Sequence, residues 1–432
     1  MSRRHAAALA LLIGLSSCNS TFDLAVAPSD ERLYERLYPY YAELCAVSQI
    51  RKNPGYGVDT SGGWGGHSVF YLNGVCRDRG AGYPTIALCG DDASAAEQGV
   101  GLSVNAHFKN ANWIATDGRD FFFHGDLAPQ ERLTRAAYDR TQKEAESKGL
   151  LDGIVFHDEV FEDMPPEMGR RDFMYEVSIA TDYAVNFARD RYCARVPLTR
   201  AQMGEVVAYL NGVNEIYKNG RKEFEWNVVQ NNCTHLAHNA LAAAGIWNAW
   251  ETDRFIVVAA FDFPVPKNEF VDLMRRTNDT DVSDPHALFE DKVARRALID
   301  YGRLPVEPGA LAEAEPVVQQ NDIYDTQPHL IFYDTPVVGS YERHFRAIFS
   351  EPRYTDIRAN LRFMVERYRR IAANSAAAAA AGAKPGGGAA DDFGAFVRLY
   401  DAHIARETAA MEATLTALSQ PPVAVIHGPV TR

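Results

Sequence analysis

The clearest helical pattern in the chain lies between Asn231 and Gly245. Its apolar positions recur three and four residues apart, at Leu236, Ala237, Ala240, Leu241 and Ala244, and such positions share one face of a helix. Gly245 is the residue type that commonly ends a helix. Cys233 lies three residues before Leu236, so the pattern predicts a cysteine on the core-facing side of the first turn.

Further patterns predict a mixture of strands and helices. Strand-like runs cover residues 67–72, 102–108, 113–116 and 121–124, and helical spacing covers residues 30–50, 127–149, 199–218, 354–371 and 393–418. Thr199 followed by Gln202 forms a capping box, and Pro39 is expected to kink or break the helix at 30–50. Together these elements predict an α+β fold.

Two of the predicted strands carry polar side chains that are candidates for a functional site. Alternation places His67, Val69 and Tyr71 on one face of the first strand. In the second strand the polar face carries Ser103, Asn105 and His107. Such a face commonly meets solvent, but beside the strand of His67 it can instead orient an imidazole.

The C-terminal part of the sequence is predicted to be a separate helical unit. Residues 374–392 are rich in alanine and glycine, and Pro385 with the three glycines after it predicts a flexible linker. The linker joins two predicted helices within an appendage at 331–432. Residues 18–330 are then expected to form the main domain.

The N-terminus has the pattern of an export signal. Arg3 and Arg4 precede an apolar run that ends in the sequence LSSC at residues 15–18, and the run is too short to span a bilayer. LSSC resembles the bacterial lipobox, in which the cysteine is lipid-modified after removal of residues 1–17. The alternative is an ordinary cleaved signal. Either case predicts the periplasm, and a lipid on Cys18 predicts a membrane anchor. Asn19 is not the aspartate of a retention signal, which favours the outer membrane.

Charge excludes some partners. The formal net charge is −13, and the predicted signal removes two arginines and no acid, so the mature chain is more acidic still. Nucleic acid is therefore not expected as a partner, and charge alone will not hold the chain to anionic lipid.

Cysteine usage suggests one unpaired thiol. There are six cysteines, and if Cys18 carries lipid an odd number is left in an oxidising compartment. We expect Cys76 to pair with Cys89, because the short spacing contains glycines and a proline suited to a loop between strands. Cys233 is then favoured as the thiol, although a role as a bridge partner stays open.

A thiol at a helix start is suited to nucleophilic chemistry. Unpaired backbone N–H groups and the positive end of the helix dipole favour the thiolate. His67, at the start of a strand after a glycine-rich loop, is the candidate base, and His107 or Asn105 would orient it. Asn232 or Trp64 would help the backbone N–H of Cys233 to hold an oxyanion. The competing interpretation is a small buried core cysteine.

A metal site is not expected. His235 and His238 lie three apart, but no nearby carboxylate or cysteine motif completes a ligand set. Polar packing or capping is their expected role. The acidic run at 157–167 is expected to be a solvated loop. No cofactor is implied.

The order of these motifs resembles a known group of enzymes. A histidine on a strand, a polar residue on the next strand and a cysteine at a helix start is similar to circularly permuted papain-like enzymes of the NlpC and lecithin:retinol acyltransferase types. A closer resemblance is to the periplasmic domain of Lnb-type lipoprotein N-acyltransferases. The matching phrases, in order, are Gly66-His67, His107-Phe108, Pro197-Leu198-Thr199, Asn232-Cys233-Thr234 and the proline-rich segment 263–266. The family usually has asparagine at the position of His107, and its full-length members carry membrane-spanning helices.

The resemblance implies an antiparallel sheet packed on a nucleophile helix, with the C-terminal helices at the periphery. It also implies acyl transfer through a thioester, as an amidase, a peptidase or an acyltransferase. Lipids, lipoproteins and peptidoglycan are the substrates within reach of an anchored envelope protein. The alternative is a non-catalytic lipoprotein that uses the same fold as a binding or scaffold module.

Overall fold

The computed structural model describes residues 31–56, 66–91, 98–178, 183–228, 231–251, 265–315, 320–325, 340–380 and 390–419. The predicted signal, Cys18, Trp64 and Phe263-Pro264 lie outside these residues. The fold is α+β, as the sequence predicts.

The described part of the chain contains eight strands and twelve α-helices, besides four short 3-10 helices. The strands are β1 (Tyr41–Val47), β2 (His67–Asn73), β3 (Val75–Arg77), β4 (Ile86–Leu88), β5 (Gly99–Ser103), β6 (Ile114–Asp117), β7 (Arg191–Pro197) and β8 (Leu311–Glu315). The helices are α1 (Glu31–Leu37), α2 (Arg119–His124), α3 (Arg135–Ser147), α4 (Arg170–Ser178), α5 (Arg200–Lys218), α6 (Cys233–Ala243), α7 (Pro266–Asp279), α8 (Pro285–Glu290), α9 (Lys292–Tyr301), α10 (Tyr341–Ser350), α11 (Ile357–Ala380) and α12 (Ala390–Ser419).

Six strands form one antiparallel sheet in the order β6-β5-β2-β1-β7-β8, and β3 pairs with β4 in a separate ribbon. The central strands β1 and β7 are buried along their whole length. Helices α6 and α7 pack on one side of this sheet, with α6 against β2 and α7 against β1 and β7. We call this side the helix face, and it carries Ser68, Phe70 and Leu72.

The opposite side of the sheet is the charged face. It carries Glu43 and Cys45 of β1, and the register sets Arg195 of β7 opposite Glu43. Arg119 of α2 bonds to Glu43 with one nitrogen at 3.1 Å, and the guanidinium of Arg195 lies 3.5 Å from the same carboxylate. Burial raises the pKa of Glu43, but the two arginines outweigh this effect and hold it at about 2.

Two disulfides link strands of the described fold. Cys45 of β1 lies directly opposite Cys193 of β7, with their Cα atoms 4.0 Å apart. Cys76 pairs with Cys89 across the β3–β4 ribbon, which confirms the pairing expected from the spacing. Glu43 lies close to both sulfurs of the first disulfide, but disulfide sulfurs are not available as thiolate ligands for a metal.

The predicted helix at 30–50 is only partly correct. A helix covers Glu31–Leu37, but Tyr41–Val47 is the buried strand β1. A strand that is covered on both faces has apolar side chains on both, so its periodicity does not distinguish it from a helix. Pro39 lies between the two elements, where a break was expected.

Two predicted strands also need correction. Residues 121–124 belong to α2, whose Phe122 packs so closely over Gly101 that a Cβ on the glycine would meet the ring at 2.1 Å. The second strand ends at Ser103 rather than continuing to Phe108. His107 is therefore not on a strand. The helix predicted at 199–218 is confirmed as α5, with both bonds of the capping box present.

The C-terminal helices form a second apolar cluster. Helices α11 and α12 pack together, and α12 also packs against α8 and α9, around buried side chains such as Tyr368 and Tyr400. Helix α10 instead packs on α7, where the Phe349 and Phe270 rings stack at 5.7 Å. Part of the predicted linker is helical, because α11 continues through its alanines to Ala380. No helix in the described ranges is long and apolar enough to cross a membrane.

Candidate active site

The N-terminus of α6 is held by a side-chain cap. The Oδ1 atom of Asn232 accepts hydrogen bonds from the backbone N–H groups of Thr234 at 2.9 Å and His235 at 3.2 Å. Its Nδ2 atom donates to the carbonyl of Val228 at 2.7 Å. Two of the first-turn N–H groups are thereby satisfied. The cap does not use the N–H of Cys233, the first helical residue.

Cys233 is a thiol on the core side of this first turn. It is in neither disulfide, and 8% of its surface is exposed. Its position at the helix start exposes the sulfur to the positive end of the helix dipole, which favours the thiolate. The predicted helix start and the predicted thiol are both confirmed.

The sulfur lies at the beginning of β2. The backbone N–H of Ser68 donates to Cys233 Sγ at 3.4 Å, and the hydroxyl groups of Ser68 and Thr234 are hydrogen-bonded at 2.9 Å. Pairing between β2 and β5 ends at Phe70 and Leu102. Ser68 is still paired with Ala46 of β1, but it lies beyond the pairing with β5, and its N–H donates to the sulfur.

His67 is the first residue of β2 and is partly buried. Its Cα is only two covalent bonds from the nitrogen of Ser68, and with standard bond lengths this places it within about 6 Å of the sulfur. Alternation assigns His67 to the charged face, whereas α6 lies on the helix face. His67 and Val47 form the last pair of β2 and β1, so His67 lies at the end of the sheet rather than in its interior.

The two candidates for orienting His67 have different surroundings. Asn105 is buried, and its Oδ1 accepts the backbone N–H of His107 at 2.9 Å, a turn that follows the end of β5. The register that pairs Phe70 with Leu102 would set Asn105 opposite His67 if it continued. The ring of His107 lies 5.8 Å from the ring of Phe156.

The histidines later in α6 are used for packing. Both ring nitrogens of His238 are engaged, with Glu269 at 2.7 Å and the carbonyl of Asn248 at 2.8 Å. Its imidazole stacks with Trp247 and Trp250 at centroid distances of 4.3 and 3.7 Å. His235 is buried, and its Nδ1 lies 3.1 Å from Asn232 Oδ1. These bonds fasten the segment after α6 onto the helix.

Two carboxyl groups of α7 lie behind the His238 cluster, the buried Glu269 and the partly buried Asp272. Asp272 accepts a hydrogen bond from the Tyr341 hydroxyl at 3.1 Å. Burial, and then repulsion from Glu269, raise the pKa of Asp272 to about 6. Asp272 is one turn from Glu269, which bonds to His238 of α6, so the raised pKa belongs to a group next to the contact between α6 and α7.

The contacts of Ser68 with Cys233 and Thr234 of α6 were missed by sequence reasoning. Both hydroxyl residues directly follow a candidate catalytic residue, which is the only signal the sequence offers for them. A comparison with known proteins adds nothing to these assignments, since no family model, curated protein or solved structure matches the chain.

Proposed function

We propose that the protein is a cysteine-nucleophile acyl-transfer enzyme of the bacterial cell envelope, built as a permuted papain-like fold. The observation that carries the proposal is the hydrogen bond from Ser68 N–H to Cys233 Sγ. It brings the start of a strand, with His67, to a thiol at a helix N-terminus. A nucleophile and a base on two such elements are the minimal requirement of a thiol acyl-transfer site.

In this mechanism the thiolate of Cys233 attacks the carbonyl carbon of an ester or amide. The carbon–sulfur bond forms as the carbonyl π electrons move to oxygen. When the intermediate collapses, the imidazolium of His67 gives its proton to the leaving alcohol or amine. Water or a second amine then attacks the thioester, His67 takes its proton, and the sulfur of Cys233 leaves.

The oxyanion is assigned to the backbone at the start of α6. The N–H of Cys233 itself is the donor outside the Asn232 cap, and such donors stabilise a tetrahedral oxyanion. The side chain of Asn232 is committed to the cap and to the carbonyl of Val228. We therefore assign Asn232 to placing the nucleophile rather than to contacting the substrate.

Of the two candidates for orienting His67, we favour Asn105, which is buried and follows β5 by two residues. Its Oδ1 is held by the N–H of His107, so the amide is fixed at the end of β5. A fixed polar group beside the base selects the ring orientation that reaches the sulfur. His107 then contributes through its backbone, which holds the turn of Asn105.

The proposed compartment sets the substrates. A lipid on Cys18 would anchor the chain to the membrane, with lipids, lipoproteins and peptidoglycan peptides in reach. Water as the second reactant makes the enzyme an amidase or peptidase, and an amine makes it an acyltransferase. The sequence resemblance to lipoprotein N-acyltransferases supports the second possibility.

The test is intact-mass analysis of wild type and Cys233→Ala after exposure to phospholipid vesicles and, separately, to muropeptides. We expect an acyl or peptidyl adduct on the wild type that is absent from Cys233→Ala, and the adduct mass names the donor. His67→Ala is the matched variant, since it keeps the thiol and should slow adduct formation. Turnover of either substrate class by Cys233→Ala would refute the mechanism. A wild type without adduct on any donor would favour the scaffold alternative.

A further inference from the structure

Two consecutive residues of α6 are joined to one residue of β2. Ser68 donates its backbone N–H to Cys233 Sγ at 3.4 Å and shares a hydroxyl–hydroxyl bond of 2.9 Å with Thr234. Two bonds from adjacent residues constrain the orientation of the first turn of α6 relative to β2 more closely than one bond does.

The hydroxyl pair is buried. Ser68 is 4% exposed and Thr234 is 1% exposed, so water does not compete for the bond. Replacement of both partners of a buried hydrogen bond by apolar groups is often nearly neutral for stability. Packing of α6 on the sheet therefore does not by itself require two hydroxyl groups at this point.

The hydroxyl pair instead fixes the position of the first turn of α6, and with it the position of the sulfur. The N–H···S distance of 3.4 Å is set by where the first turn of α6 sits, and hydrogen bonds weaken steeply as geometry departs from the optimum. The pairing of β2 with β5 ends at Phe70, and beyond that end the Ser68 N–H donates to the sulfur of Cys233.

We infer that Ser68 and Thr234 are positioning residues, whose hydroxyl bond holds Cys233 Sγ within range of the Ser68 N–H and beside His67. The inference rests on the proposed function for its catalytic meaning. Its direct consequence concerns the thiol alone. Loss of the bond should weaken the N–H donation that stabilises the thiolate, and the thiol should then ionise at higher pH.

The experiment measures the pH dependence of Cys233 alkylation by iodoacetamide in the native full-length protein, read at the peptide that contains Cys233. We expect Thr234→Val to move the midpoint upward by about 1 pH unit, which is about tenfold less thiolate below the midpoint. Thr234→Ser keeps the hydroxyl and should restore the wild-type profile.

Thr141→Val is the matched control. Thr141 is also 1% exposed, and its hydroxyl bonds to the carbonyl of Gly125 at 2.7 Å, far from α6 in the chain. It makes the same chemical change and should leave the alkylation profile unmoved. A shift of the same size in this control would show that the thiol responds to general loosening, and would overturn the inference.

The double variant Ser68→Ala/Thr234→Val separates positioning from stability. Removal of both hydroxyl groups should recover most of the stability lost in Thr234→Val, because no buried hydroxyl is then left unpaired. We expect the alkylation profile to stay shifted. If the alkylation profile returns to that of the wild type together with the melting temperature, the hydroxyl pair contributes only to packing and the inference is overturned.

The outcomes also distinguish this inference from the proposed function. If Thr234→Val keeps the wild-type profile and forms the adduct normally, only the positioning role fails. If the wild-type Cys233 titrates near the ordinary thiol value of about 8.5 and forms no adduct, the proposed function fails. Should Thr234→Val not fold, Ser68→Ala and the double variant still decide the question.

Discussion

Asp272→Asn should stabilise the protein at neutral pH. The raised pKa of Asp272 gives both the sign and the size of the change in the free energy of unfolding. Asp272 is partly buried on α7, beside Glu269, and its pKa is raised from an ordinary value of 3.8 to about 6. The fold therefore prefers the protonated form. This preference stabilises the fold fully at a pH below 3.8, the pKa of the carboxyl group in the unfolded chain. The stabilisation is lost as the pH rises through the folded-state pKa of about 6.

The magnitude follows from the two pKa values. The gap corresponds to about 3 kcal/mol at about 1.4 kcal/mol per pH unit. Asparagine keeps an oxygen for the Tyr341 hydroxyl and cannot ionise. We expect Asp272→Asn to be more stable than wild type by about 2 kcal/mol or more above pH 6, and the difference to vanish near pH 4.

Urea unfolding of both proteins between pH 4 and pH 8 measures this difference. Asp158→Asn is the matched control, since its side chain is 82% exposed and surface changes of this kind stay within about 0.5 kcal/mol. A difference between Asp272→Asn and wild type that is constant with pH, or that grows as the pH falls, would refute the reasoning.

Three further predictions concern the cap, the sheet and the base. Asn232→Ala should lower the free energy of unfolding by about 1 kcal/mol, measured by thermal unfolding, and should slow the alkylation of the thiol. Asn232→Asp should keep most of the stability. An unchanged melting temperature in Asn232→Ala would argue against the cap. Glu43→Gln removes one of the two carboxylates, Glu43 and Glu313, that pair with Arg119 and Arg195. It should cost up to about 3–5 kcal/mol in urea unfolding, and a loss below about 1 kcal/mol would show that Glu43 is not needed to balance these arginines. Asn105→Ala should lower the rate of thioester formation about tenfold or more without lowering the melting temperature by the same measure, while His107→Ala should do less; the reverse order would assign the orienting role to His107.

Helix α6 shows how far sequence reasoning reaches. Its start, its cap and its core face follow from local rules that act within one turn, so Asn232 and Cys233 could be placed from the printed sequence alone. The capping box of Thr199 was predictable for the same reason. In each case the deciding contacts join residues a few positions apart.

Contacts between distant segments explain the failures. The residues of β1 were predicted to be helical because both faces of the strand are buried in a covered sheet. The neighbouring residues in the sequence do not reveal that environment. The polar face predicted for residues 102–108 fails because the chain leaves the sheet after Ser103, where Asn105 forms a turn with His107. The bond between Ser68 and Thr234 joins residues 166 positions apart, and only the fold brings them together.

The topology also explains how a thiol persists beside two disulfides. Cys45 and Cys193 face each other on the charged face, whereas Cys233 lies with Ser68 on the helix face. Cys76 and Cys89 are bonded to each other in the β3–β4 ribbon. A disulfide requires Cα atoms within about 7 Å and Cβ vectors that converge, which the sheet itself prevents for Cys233 and Cys45. The described fold thus separates the Cys233 thiol from Cys45 and Cys193 by placing them on opposite sides of one sheet, and it holds Cys76 and Cys89 in a separate ribbon.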